Sequence, residues 1–97
     1  MDDCASALLF LLKNYTGESH VNVGSGTDVT IDELARLVMQ TIGFDGALEH
    51  DTSKPDGTAR KLMSTDKLVT MGWSPKISLP DGLRMTYQWF LGNRVIP

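Results

Sequence analysis

The sequence predicts a small α/β fold of about four helices with two short parallel strands. Two observations carry that reading. A capped, amphipathic helix over residues 30–43 lies between two short segments of strand character, at 20–23 and 47–51. Beyond a cationic loop, two further helix starts follow at Ser64 and Ser78. A strand, a helix and a second strand in that order suggest a right-handed parallel crossover.

The first 13 residues predict a helix over residues 4–13, with the Asp3 carboxylate as its N-cap, placed at the positive end of the helix dipole. Ala5, Leu8, Leu9 and Leu12 share one face, and Ala7, Phe10 and Leu11 widen it. A helix apolar over so much of its circumference needs cover on more than one side. Cys4, on that helix, reads as a small buried hydrophobe. Residues 14–19 are turn material, with Gly17 in a left-handed position. His20-Val21-Asn22-Val23 alternates as a strand does, and Gly24-Ser25-Gly26 follows it. A glycine-rich turn after a strand suggests a phosphate cradle. This one lacks the spacing of a dinucleotide or Walker loop, and reads as a tight strand-to-helix turn.

Thr30-Ile31-Asp32-Glu33 forms a capping box. Ile31, Leu34, Ala35, Val38 and Ile42 then recur at helical spacing, and Gly43 ends the run. After the second predicted strand comes the most polar part of the chain. Residues 53–61 hold Lys54, Arg60 and Lys61 around Pro55-Asp56-Gly57, without one large apolar side chain. Proline, aspartate and glycine in sequence make a turn, and cations and hydroxyls on a loop suit an anionic ligand that carries sugar hydroxyls. Ser64 then caps a short helix closed by Gly72. Leu79-Pro80-Asp81 opens the last helix, with proline at the first helical position. Trp73, Trp89 and Phe90 are expected to anchor the core.

Composition narrows the function. The 97 residues read as one domain, residues 1–97, with 41% apolar and 22% charged residues and a net charge of −3. That balance argues against nucleic acid as a partner, and no apolar run is long enough to span a membrane. A single cysteine and two separated histidines offer no metal cluster and no internal disulfide, which fits a reduced cytoplasmic setting. His20 and His50 read as surface or packing residues.

Taken together, Asp2-Asp3-Cys4-Ala5-Ser6-Ala7, Asn22-Val23-Gly24-Ser25-Gly26 with Thr30-Ile31-Asp32-Glu33-Leu34-Ala35, Ser64-Thr65-Asp66-Lys67-Leu68 with Gly72-Trp73-Ser74-Pro75, and Leu79-Pro80-Asp81-Gly82-Leu83 are distinctive. In this order they resemble the C-terminal part of the extended short-chain dehydrogenase/reductases that act on nucleotide sugars. The loop over residues 51–62 and the ending Thr86-Tyr87-Gln88-Trp89-Phe90 resemble the GDP-L-fucose synthase family, with Ala59 where that family commonly has proline.

The resemblance implies a substrate-binding portion that holds a GDP-sugar for an enzyme using NADP(H). Asp56 would contact the substrate, and Lys61, Arg60 and Lys54 would neutralise its pyrophosphate. Asp2 and Asp3 would serve structure. The chain has neither the glycine-rich fingerprint of a Rossmann cofactor domain nor a Tyr-x-x-x-Lys motif, since Tyr15 is followed four residues on by Ser19 and Tyr87 by Leu91. No catalytic residue and no bound cofactor are therefore expected in it. The family's cofactor domain would be its N-terminal partner. Two other readings stand beside this one: a stand-alone nucleotide-sugar binding module, and an interaction module that associates through the helix at 4–13.

Overall fold

Among the described residues four helices form, and side chains cap the starts of two of them, Thr30 at the second and Ser78 at the fourth. The computed structural model describes residues 1–93. In it α1 spans Asp2–Asn14, α2 Ile31–Ile42, α3 Asp66–Met71 and α4 Leu79–Asn93. Thr30 caps α2, its Oγ1 accepting the Glu33 N–H at 3.1 Å and donating to the Glu33 carboxylate at 3.0 Å. The reciprocal bond of a full capping box is replaced by that side-chain pair. Gly43 ends α2 in the left-handed region at φ 73°, and the next N–H, of Phe44, reaches back to the Met39 carbonyl at 2.9 Å. A side chain at Gly43 would meet no atom, so glycine is there for its backbone freedom.

Several boundaries differ from expectation. Met1, not Asp3, precedes α1, and Asp3 lies in the first turn. Its carboxylate instead accepts the backbone N–H groups of Lys76 and Ile77 at 2.9–3.2 Å, 73 and 74 residues away. Gly17 is outside the left-handed region. Pro80 is the second residue of α4, after Ser78, whose Oγ accepts the Asp81 N–H. Ser64 lies one residue ahead of the N-cap of α3 and accepts the Asp66 N–H at 3.5 Å.

The larger correction concerns the sheet. Among the described residues there is no strand: residues 20–23 and 47–51 form no ladder. Alternation records which side of a segment faces apolar neighbours, but a strand also needs an edge to take its N–H and C=O groups. Val21 and Val23 do turn inward as the alternation implies.

The chain forms two compact units. The first comprises Met1–Asp28 and Arg60–Ile77. Its core is Ala7 of α1, Leu68 of α3 and Trp73, with Phe10, Leu11, Val21 and Val23 against them. The Trp73 indole N–H donates to the Ser6 hydroxyl at 3.1 Å, so the ring is buried without an unmet donor. Lys67 of α3 donates to the hydroxyls of Tyr15 at 3.2 Å and Ser19 at 3.0 Å, and Tyr15 donates to the Ser19 carbonyl at 2.6 Å. These bonds fasten the turn after α1.

The second unit comprises Val29–Ala59 and the chain from Ser78 onward, where α2 packs on α4. Neither helix has a fully buried side chain. Leu34, Ala35, Leu37 and Met39 are half-buried on α2, as are Leu83 and Tyr87 on α4, whereas Ile31, at the start of the expected stripe, is 81% exposed. Trp89 and Phe90 are exposed as well, so of the three expected aromatic anchors only Trp73 is in a core. Cys4 is also exposed, because α1 turns Ala7 inward and leaves Leu8, Leu9 and Leu12 at 61%, 53% and 82% exposure. No described helix is long and apolar enough to cross a membrane.

Candidate functional site

The loop over residues 51–62 leaves the second unit after Ala59 and enters the first at Arg60. Within the second unit, Asp51 shapes its start. The Asp51 carboxylate accepts both the backbone N–H and the hydroxyl of Ser53, an Asx-type turn. Bonding from the Ser53 hydroxyl, and then from its N–H, holds the Asp51 carboxyl below the ordinary aspartate range. The turn is one wall of an open depression that Lys54 and Asp56 line together with Glu49, His50, Thr52 and Pro55. His50 sits 3.4 Å from the Asp32 carboxylate at the start of α2, which also pairs with Arg36 at 2.9 Å.

In the first unit, Arg60 is already engaged. Its Nε donates to Asp28 Oδ2 at 2.7 Å and its Nη2 to Asp28 Oδ1 at 3.2 Å, a two-point clasp between residues 32 apart. The guanidinium holds the Asp28 carboxyl below the ordinary range, and the carboxylate raises Arg60 in turn. Lys61, next along, is exposed. Of the four residues singled out in the sequence, Lys54 and Asp56 thus share one depression. Arg60 is oriented by a partner that sequence reasoning missed. Nothing local points to Asp28: it is one acidic residue in a turn, and its role depends on a partner far along the chain.

The Gly24-Ser25-Gly26 turn does not fit a dinucleotide. Thr65 lies beside it, with Cγ2 3.6 Å from where a Cβ on Gly24 would stand and Oγ1 3.2 Å from one on Gly26, while Ser25 and Gly26 themselves are exposed. A pyrophosphate cradle needs that backbone at the start of a helix, and α2 begins only at Ile31. Ser25 folds back on Thr27 instead, its Oγ donating to the Thr27 carbonyl at 2.9 Å. Among the described residues no group of acidic, histidine or cysteine side chains could hold a metal ion.

No family model matches the chain. Individual proteins do. A putative GDP-L-fucose synthase 2 of Arabidopsis thaliana is 59% identical over 98% of this chain. The GDP-L-fucose synthase of Escherichia coli is 51% identical over 78% of it. The chain spans 29% and 24% of their respective lengths. Among solved structures, a GDP-6-OMe-4-keto-L-xylo-heptose reductase from Campylobacter jejuni superposes with a TM-score of 0.85 at 35% identity, over 94% of this chain and 29% of the other. A GDP-mannoheptose C4 reductase from the same organism, with NADP bound, gives 0.78 at 34% identity, over 93% and 29%. The chain belongs to the GDP-L-fucose synthase family within the extended short-chain dehydrogenase/reductases, and it corresponds to the C-terminal part of those enzymes.

Proposed function

We propose that this chain is the GDP-sugar-binding portion of a GDP-L-fucose synthase. The whole enzyme converts GDP-4-keto-6-deoxy-D-mannose to GDP-L-fucose by epimerisation and NADPH-dependent reduction. The observation that carries the proposal is the 59% identity to a synthase of that name over 98% of the chain. The depression that holds Lys54 and Asp56 supports it by giving the ligand loop a concave surface. Residues 1–97 act as one substrate-binding portion. Asp56 accepts hydrogen bonds from the nucleotide, and Lys61, Arg60 and Lys54 meet its phosphates. Binding energy at the nucleotide orients the sugar for chemistry carried out by the rest of the enzyme, where NADP(H) is held. A cytoplasmic location belongs to the same reading. Purified chain mixed with NADPH and the keto sugar is expected to show no turnover. Turnover above background would overturn the assignment of a binding role without catalysis.

A second reading rests on α1. Leu8, Leu9 and Leu12 form an apolar patch on one helix, the kind of surface that marks an interaction site. If α1 mediates self-association, light scattering will show concentration-dependent oligomers that Leu9→Glu abolishes. A Leu9→Glu chain that associates as wild type does would remove this reading.

A further inference from the structure

The clasp between Asp28 and Arg60 occupies a particular place in the chain. Asp28 is the last residue of the first stretch of its unit, and Arg60 is the first residue on return, so the clasp closes the excursion over residues 29–59 at its base. The carboxylate takes the side edge of the guanidinium, through Nε and Nη2. Among the described residues no protein acceptor meets Nη1, and the Arg60 side chain is 68% exposed. An arginine fixed along one edge presents its other edge, between the two Nη atoms, in one orientation. That edge suits two oxygens of a phosphate.

We propose that Asp28 is a positioning residue for the ligand's diphosphate: it holds Arg60 by its side edge so that the end edge faces the anion. The assignment rests on the GDP-sugar reading above and adds to it a residue outside the loop. Asp28 acts through Arg60 and touches no ligand atom. Its charge and its geometry pull in opposite directions. As a negative charge Asp28 should weaken the binding of an anion, and as a fixed anchor it should strengthen it by removing the ordering cost of a long side chain. The sign of the effect therefore separates the two.

The test is a GDP titration of the isotopically labelled chain, followed at the Asp56 and Lys61 amides and at the Arg60 Nε–H, in wild type, Asp28→Asn, Arg60→Lys and the double variant. Asp28→Asn is expected to weaken GDP about five-fold although it removes a negative charge, and Arg60→Lys at least as much. The double variant should lose no more than Arg60→Lys alone. The Arg60 Nε–H signal, protected in wild type, should exchange freely in Asp28→Asn while the Leu68 and Trp73 amides stay in place. Equal or tighter binding by Asp28→Asn, or losses that simply add, would overturn the proposal and leave the GDP-sugar reading standing. Wild type that ignores GDP would overturn both. Should Asp28→Asn disturb the Leu68 and Trp73 amides, Arg60→Lys decides alone, and unchanged GDP affinity there overturns the proposal.

Discussion

At Trp73 two kinds of interaction meet: the ring fills the core beside Ala7 and Leu68, and its N–H is tied to Ser6. Trp73→Phe keeps a smaller aromatic ring but loses the N–H bond to Ser6 and part of the indole's volume, and should cost about 1–2 kcal/mol. Trp73→Ala opens a cavity and should cost about 3–5 kcal/mol. Urea midpoints at unchanged slope measure both, and equal costs would contradict the division. Asp28 links stability to acid. Arg60 lowers its carboxyl in the folded chain. The ion pair therefore contributes fully above the unfolded aspartate value of about 3.9 and fades as pH falls through the lowered folded value. Asp28→Asn should flatten that acid limb, and a variant as acid-sensitive as wild type would argue against the clasp. Tyr15 is held below the ordinary phenol range by the Ser19 hydroxyl and then by Lys67. Lys67→Met should raise its titration toward the ordinary value, read by ultraviolet absorbance in a Tyr87→Phe background. An unchanged titration would mean that the ammonium is not beside the phenol in solution.

The helices were legible in the sequence wherever start and stop signals are local. Thr30 and Gly43 bracket α2, and Ser78 opens α4. Each such signal has a size. Thr30→Ala should cost about 1 kcal/mol of stability through the lost cap. Gly43→Ala should cost about 1–2 kcal/mol through the left-handed backbone alone, since no atom crowds that site. Thermal unfolding measures either, and a neutral Gly43→Ala would contradict the left-handed cap. What the sequence did not disclose depends on neighbours far along the chain. The alternation at 20–23 correctly turned Val21 and Val23 inward, yet no ladder forms there, because strand character does not supply a paired edge. The stripe from Ile31 to Ile42 identifies a helix face but not how fully it is covered. Asp3 looked like a cap from its position alone, and bonds instead to the N–H groups of residues 76 and 77. In the loop, Lys54, Asp56, Arg60 and Lys61 could be named from charge and turn chemistry, while the partner of Arg60 could not.

At the scale of the whole molecule, the role proposed for the chain is binding. Thr65 lies beside its glycine turn, its cationic loop is exposed, and it spans 29% of the Arabidopsis thaliana synthase and 24% of the Escherichia coli one. The GDP-binding role is therefore a claim about affinity, and affinity tests it most directly. Titrating wild type and Asp56→Ala with GDP, and with ADP as a control for phosphate charge, should shift the amides of Asp56 and Lys61 in wild type. ADP should bind more weakly, and Asp56→Ala should abolish the response to GDP. A loop whose amides stay still with GDP, or respond equally in Asp56→Ala, would contradict the account.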